Sequence, residues 1–476
     1  MESGEQILEQ QPIQLYESRK KIHPRYQKGF FRTIKWAILW TLLGLYYLVP
    51  FLNWERAPGL PQQAVLFDLP ARKFYIYDLV IWPQEIFLLT LLLIISAIGL
   101  FFITTLAGRA FCGYMCPQTV WTDLFLFVEN LVEGPPHRRK KLDNSPWNGA
   151  KILKKTVKHL LWLLIGLATG GAFVFYFADA ATLMEGFLNG TAPSAAWTAL
   201  IFLTLGTYVF AGLAREQVCI YMCPYARFQG AMFDADTLII AYDERRGENR
   251  IANRRDRAAM GDSAGDCIDC GECFRVCPTG IDIRDGQQYE CITCAACVDA
   301  CDEIMDTLGK PRGLIRYTSM RGLEGLKTRF FRPRLFLYGA VLALFTGIVF
   351  WSLTSKKVVD LNVIKDRKPL YIMQKDGSIQ NNYTVRILNR SNEERWFSLS
   401  VEGLNGAWID MAANRARDAD GWPVVSLGPG EVIPYKIYLR QPKMYVTSGS
   451  QEFQFVLHTL NGISDQDHYN TVFMRP

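Results

Sequence analysis

The chain alternates long apolar runs with polar segments. Five runs are free enough of charge to cross a hydrocarbon core of roughly 30 Å as helices: residues 34–52, 86–106, 157–178, 196–213 and 335–353. Residues 1–33 are largely polar and precede the first run, so it reads as a membrane span and not as a cleavable leader. Beyond about residue 360 the texture changes to short alternating runs: PLYIMQK, NYTVRIL, RWFSLSVE, EVIPYKIYLR, EFQFVLHTL and YNTVFM, separated by turn signals such as DG, NG and GPG. That period of two predicts about seven strands in an antiparallel sandwich of immunoglobulin type. The chain therefore divides into an N-terminal arm (1–33), a four-helix membrane domain (34–240), an insert with basic flanks (241–334), a fifth membrane helix (335–353) and a β domain (354–476).

Charge placement orients this arrangement, because basic loops near spans stay in the cytoplasm. The arm carries Arg19, Lys20, Lys21, Arg25, Lys28, Arg32 and Lys35, and the loop 107–156 is rich in Arg and Lys, whereas 179–195 has neither. This alternation predicts a multi-pass protein of the inner, cytoplasmic membrane with the arm and residues 214–334 cytoplasmic. The β domain is then periplasmic. The formal charge of +6 reflects this topology, and no nucleic-acid partner is implied.

All twelve cysteines lie between Cys112 and Cys301, and the β domain has none. Their placement on the reducing side argues for metal or redox ligands over disulfides. Residues 267–277 read CIDCGECFRVC and residues 291–301 read CITCAACVDAC. Each repeat is Cys-x2-Cys-x2-Cys-x3-Cys, the spacing that wraps a four-iron four-sulfur cube with three thiolates from one loop and the fourth from the other repeat. Cys267, Cys270, Cys273 and Cys301 are thus expected to hold one cluster, and Cys291, Cys294, Cys297 and Cys277 the second. Zinc would need four ligands in two Cys-x2-Cys pairs, not eight in this order. Asp302 stands where a bacterial dicluster ferredoxin usually has proline, and the spacer between repeats is short. From Asp262 to Asp306 eleven acidic residues face two basic ones. This is either a solvated acidic surface held to anionic lipid by its basic flanks or a face that steers a cationic partner.

A second phrase occurs twice, FCGYMCP at 111–117 and VCIYMCP at 218–224, each after an apolar run. Proline suits the first turn of a helix, so Cys116 and Cys223 are expected at helix N-termini, where the dipole and free N–H groups favour thiolate. The preferred reading is one tetrathiolate metal site from Cys112, Cys116, Cys219 and Cys223, with iron, Cu(I) or a cluster all compatible. Separate redox dithiols and buried structural thiols remain open. Met115 and Met222 repeat as well, which is compatible with Cu(I) but more often means packing. Arg109 and Arg215 do not repeat in register. The segments 117–133 and 224–240 are expected as half-buried helices after each phrase.

Other chemistries find little support. The five histidines (His23, His137, His159, His458 and His468) avoid the middle of the predicted spans, so no haem of the bis-histidine kind is expected. No Cys-x-x-Cys-His, phosphate loop or Ser-His-Asp arrangement occurs. Gly166 and Gly170 form a GxxxG that permits helix packing within a chain or in a homodimer.

The order of parts resembles the FixG/RdxA/CcoG family, the cytochrome c oxidase accessory proteins of bacteria, over nearly the whole chain. The paired membrane phrases also occur in quinol-dehydrogenase-like relay proteins, and the C-terminal β domain sets this chain apart from those. The resemblance implies a cytoplasmic-membrane oxidoreductase that reduces Cu(II) to Cu(I) for assembly of the cbb-type haem-copper oxidase. Its partners would be copper ions, oxidase subunits or copper chaperones, and an electron donor that the sequence does not name. A quinol-linked respiratory relay and a non-enzymatic assembly scaffold are the rival expectations.

Overall fold

The computed structural model describes residues 21–56, 59–355, 359–391, 393–411, 416–445, 449–461 and 466–476. Most of the predicted N-terminal arm, residues 1–20, lies outside the described residues. The chain begins with α1 (Phe30–Leu48), followed by β1 (Val65–Asp68), β2 (Lys73–Ile76) and β3 (Leu79–Ile81). Then come α2 (Ile86–Ala107), α3 (Ala110–Tyr114), α4 (Pro117–Glu133), α5 (Pro136–Asn144), α6 (Gly149–Phe175), α7 (Ala180–Asn189) and α8 (Ser194–Thr207). Two π-helical turns, Tyr208–Ala214 and Val218–Met222, lead into α9 (Pro224–Met232) and β4 (Ile239–Tyr242). Short helices α10 (Glu244–Gly247), α11 (Arg254–Met260) and α12 (Glu272–Arg275) precede α13 (Ala296–Thr307), β5 (Ile315–Thr318), α14 (Met320–Leu323) and α15 (Pro333–Thr354). Nine strands close the described chain: β6 (Val359–Lys365), β7 (Ile372–Met373), β8 (Ile379–Asn389), β9 (Arg395–Glu402), β10 (Trp408–Met411), β11 (Val424–Leu427), β12 (Val432–Gln441), β13 (Ser450–Thr459) and β14 (Gln466–Met474).

These elements form two compact units, one of the residues up to Pro50 with Ile86–Phe345, the other of Phe51–Glu85 with Thr346–Pro476. Among the described residues, five helices are long and apolar enough to span a membrane: Phe30–Phe51, Ile86–Ala107, Gly149–Phe175, Ser194–Ala214 and Pro333–Thr354. The third begins at Gly149, well before the predicted 157. Asn148 caps it by accepting from the Lys151 N–H, and a lysine face then continues the helix below the apolar run. Gly166 and Gly170 are consumed within the chain. A Cβ on either would come within 3.0 Å of a backbone carbonyl of α8, that of Thr204 or of Leu200. The GxxxG therefore packs α6 on α8 and carries no argument for a homodimer.

The first unit also buries charge. Glu129 of α4 meets Arg139 and Arg215, each at 3.1 Å, and Glu133 meets Lys155 and Lys158, each at 2.9 Å. Asp123 takes Arg32 at 2.9 Å and Lys35 at 3.0 Å. Several of the cations that set the predicted topology thus also have a structural partner, signalled in the sequence by acids at Glu129 and Glu133 and lysines at Lys151, Lys155 and Lys158, spaced for one helix face each. Burial alone would raise the Glu129 carboxyl, but Arg215, Lys158 and Arg139 outweigh it and hold its pKa at about 2.

In the second unit the β domain is the predicted two-sheet sandwich with more strands than expected. One sheet runs β10-β12-β8-β6, with β7 on β8, and the other runs β11-β9-β13-β14. Central β8 sets Val385 opposite Tyr435 and Val363, and β9 sets Leu399 opposite Leu457. Tyr383, Phe397, Phe455 and Phe473 lie fully buried between the sheets. Three strands that the pattern missed, β6, β10 and β11, are short or lack flanking turn signals. The loop after α1 forms the sheet β1-β2-β3. It docks on the sandwich: Lys73 donates to the Gly430 carbonyl at 2.9 Å, and Arg390 bridges Glu85 at 2.6 Å and Asp360 at 3.0 Å.

Candidate metal centres and their junction

The cysteine-rich insert folds as two copies of one loop. Asp269 and Gly271 in the first repeat, and Thr293 and Ala295 in the second, stand at matching positions, and all four have positive φ (51°, 70°, 56° and 59°). Left-handed residues alternating with ordinary ones turn successive backbone N–H groups inward, a concavity suited to an anionic cluster. The helices α12 and α13 start just after each turn and carry Cys273, and Cys297 with Cys301. One helical turn separates Cys297 from Cys301, enough to deliver the latter to the opposite loop.

Two small cavities result. The first is lined by Cys267, Cys270, Cys273 and Cys301 against Tyr242, Met305 and Leu314. The second is lined by Cys277, Cys291, Cys294 and Cys297, with Cys273 between the two, against Ile240, Ile281 and Ile283. All twelve cysteines are free. Burial pushes the thiols of Cys273, Cys291 and Cys301 up to about 12, so binding metal there displaces protons. Four soft donors around an enclosed apolar space fit a four-iron four-sulfur cube. Among the described residues no three His, Cys, Asp or Glu side chains converge as a single metal ion requires.

The insert is fastened to the membrane helices. The Asp299 carboxylate of α13 accepts from the backbone N–H groups of Phe31 and Arg32, so it caps α1. Residues 21–30 continue the strap: Arg25 donates from its backbone to Arg275 at 2.8 Å and pairs with Glu272 at 2.7 Å. Much of the acidic surface read from the sequence is paired by nearby cations. Asp266 binds Arg246 and Lys310, Asp269 and Asp282 bind Arg284, and Asp306 binds Arg312.

The repeated phrases sit at helix starts. Cys116 is the N-cap of α4 with Pro117 at its first position, and Cys223 is the N-cap of α9 with Pro224 there. Cys112 lies in α3 and Cys219 in the second π-helical turn. The four sulfurs are electrostatic neighbours: Cys112 feels Cys116 and Cys219, and Cys116 and Cys219 both feel Cys223. At Cys116 burial reverses the thiolate bias expected of a helix N-terminus. Desolvation raises Cys112 to about 12 and Cys219 to about 11, and it raises Cys116 although the Gln118 and Thr119 N–H groups pull the other way. Met115 and Met222 are both largely exposed.

The roles of Arg109, Gln229 and Gly113 escaped the sequence reading. Arg109 is 4% exposed and donates through Nε to Gln229 Oε1 at 2.7 Å and through Nη1 to the Tyr289 carbonyl at 2.5 Å. Gln229 Oε1 lies 3.5 Å from the Cys112 sulfur. The one available signal was the arginine ahead of the first phrase. Its partners, 120 and 180 residues away, left no local trace.

Apolar spanning helices joined to a module with two thiol-lined cavities define a membrane iron–sulfur electron-transfer protein. Family models agree: that of the 4Fe-4S dicluster domain matches residues 214–320, that of a 4Fe-4S binding domain matches 89–135, and that of the immunoglobulin-like fold at the C-terminus of FixG matches 349–476. The chain is 42% identical over 495 residues to the nitrogen fixation protein FixG of Rhizobium meliloti, covering 97% of this chain and 94% of that one. It is 44% identical over 439 residues to the protein RdxA of Cereibacter sphaeroides, covering 90% and 91%. The chain belongs to the FixG/RdxA family. A solved FixG-related protein from Vibrio parahaemolyticus aligns with a TM-score of 0.21 at 20% identity, covering 25% of this chain and 98% of that one.

Proposed function

We propose that this protein is a cupric reductase of the cytoplasmic membrane that supplies Cu(I) for assembly of the cbb-type cytochrome c oxidase. Cys267, Cys270, Cys273 and Cys301 would hold one four-iron cluster and Cys277, Cys291, Cys294 and Cys297 the second. When bound, the clusters supply single electrons at low potential. Cys112, Cys116, Cys219 and Cys223 hold a further thiolate-bound metal, iron or copper. The 4Fe-4S family match over the first phrase favours an iron–sulfur centre.

The observation that carries this reading is the gathering of all twelve cysteines in one compact unit. Such an array suits single-electron traffic, and copper must be Cu(I) to move between soft sulfur sites. The electron enters at the ferredoxin module and each Cu(II) takes one to become Cu(I). Residues 214–334 would face the cytoplasm and the β domain the periplasm. The grouping of residues 51–85 and the chain beyond 346 in one compact unit supports placing those two segments on one side of the membrane. The β domain then offers a docking face to oxidase subunits or a copper chaperone.

The test mixes reduced, purified full-length protein with Cu(II) and a Cu(I) indicator. A signal well above that of a protein lacking the ferredoxin cysteines is expected. An equal signal from the two rejects the reading.

A further inference from the structure

The two Cys-x-x-x-Cys-Pro phrases are near copies in sequence but not in surroundings. At the position after the first cysteine the first has Gly113 and the second Ile220. A Cβ on Gly113 would lie 2.7 Å from the Ile292 carbonyl oxygen, 3.0 Å from the Thr293 carbonyl oxygen and 3.0 Å from the Cys294 Cα. The backbone holding Cys112 thus touches the backbone loop holding Cys291 and Cys294, an approach only glycine allows. Beside it Arg109 grips the same loop through the Tyr289 and Cys291 carbonyls, and its Nε bonds the Gln229 that faces the Cys112 sulfur. A third tie runs from Tyr317, which donates to the Thr293 carbonyl at 2.5 Å and meets the Tyr114 hydroxyl at 3.4 Å.

We infer that the first phrase is the electron port of the membrane site: Gly113 makes the contact with the Cys291–Cys294 loop, and Arg109 is the positioning residue that holds the loop there. The inference rests on the proposal that both cysteine sets carry redox metal. It ranks the module's two sites, the Cys277, Cys291, Cys294 and Cys297 set lying against the membrane phrase and the Cys267, Cys270, Cys273 and Cys301 set one step behind. With both sites loaded, one electron would pass from the centre held by Cys277, Cys291, Cys294 and Cys297 to the one held by Cys112, Cys116, Cys219 and Cys223, with no bond formed or broken and no proton exchanged. Arg109 adds a second effect, because a buried cation beside one cluster favours its reduced, more negative form.

The test uses full-length protein with Gly113→Val, Arg109→Gln, Arg109→Lys and, as the pseudo-symmetric control, Ile220→Val, each checked for iron and acid-labile sulfide. Gly113→Val with wild-type iron should slow reoxidation of the reduced clusters by Cu(II) several-fold, because electron transfer weakens steeply as the two sites are pushed apart. Ile220→Val should not. In a redox titration followed by electron paramagnetic resonance, Arg109→Gln should lower the midpoint potential of the Cys277, Cys291, Cys294 and Cys297 cluster and leave that of the Cys267, Cys270, Cys273 and Cys301 cluster unchanged, and Arg109→Lys should restore most of that shift. Iron-replete Gly113→Val with the wild-type rate, or Arg109→Gln with both potentials unmoved or moved together, overturns the port. If copper fails to reoxidise even the wild-type clusters, the cupric reductase reading falls, while the titration still decides the role of Arg109.

Discussion

The Asp299 carboxylate accepts a hydrogen bond from the backbone N–H of Arg32 at 2.8 Å, so a side chain of the cluster module caps a membrane helix 267 residues away in sequence. The first turn of α1 has no other side-chain cap, and a Cβ on Gly29 would collide with Asp299. Module and membrane helix are thereby seated as one piece. Asp299→Ala removes the cap and should cost about 1 kcal/mol. Hydrogen exchange of residues 21–35 should rise, and Asp299→Asn, which keeps an acceptor, should recover most of the protection. Unchanged exchange in the alanine variant would mean that the strap at Arg25 holds the module alone.

The buried acid on α4 gives a second expectation. Glu129 faces Arg139, Lys158 and Arg215 with no exposure of its own. Glu129→Gln strands those cations and should destabilise the helical unit by roughly 3–5 kcal/mol, read as a fall in unfolding temperature in detergent. The pH dependence follows from a carboxyl pKa held down from 4.5 to about 2. The contribution is fully present above the unfolded value of 4.5 and is lost as pH falls through about 2. It amounts to about 3 kcal/mol, and Glu129→Gln should flatten that part of the acid profile.

Helix packing offers a third. Gly170 has no room for a side chain against Leu200 and Thr204, so Gly170→Leu should destabilise by about 1–3 kcal/mol through overpacking. Its mass in detergent, measured by light scattering, should match the wild type. A change of oligomeric state at unchanged stability would instead place this face between chains.

How much of this was legible in the sequence depended on the range of each interaction. The cluster loops were, because a cube takes three ligands from seven consecutive residues and spacing alone locates them. The β domain was, because alternation is local, although β6, β10 and β11 were too short or too weakly bounded to register. The second phrase misled. The helix expected over 224–240 stops at Met232 because Ile239–Tyr242, buried at every position, pairs with β5. The thiol pKa values misled too, since a helix N-terminus is a local feature and burial is not. The partners of Arg109, Asp123 and Asp299 were invisible for the same reason: each sits 88 or more residues away.

Crossed ligation supplies the most direct check on the cluster assignment. Cys301 belongs by sequence to the second repeat, yet it lines the cavity of Cys267, Cys270 and Cys273, while Cys277 of the first repeat lines the other. Serine at either position removes one thiolate from the cluster of the opposite loop. Cys301→Ser should therefore remove the same resonance signal as Cys270→Ser, and Cys277→Ser the same signal as Cys294→Ser, each with a loss of up to about four irons. The pairs should differ in one respect. The Cys277 site adjoins the phrase of Cys112 through Gly113, so Cys277→Ser should isolate the remaining cluster from the membrane site, and Cys301→Ser should leave the nearer cluster in contact with it. If Cys301→Ser instead abolishes the signal that Cys294→Ser abolishes, each repeat binds its own cube, and the crossed geometry is wrong.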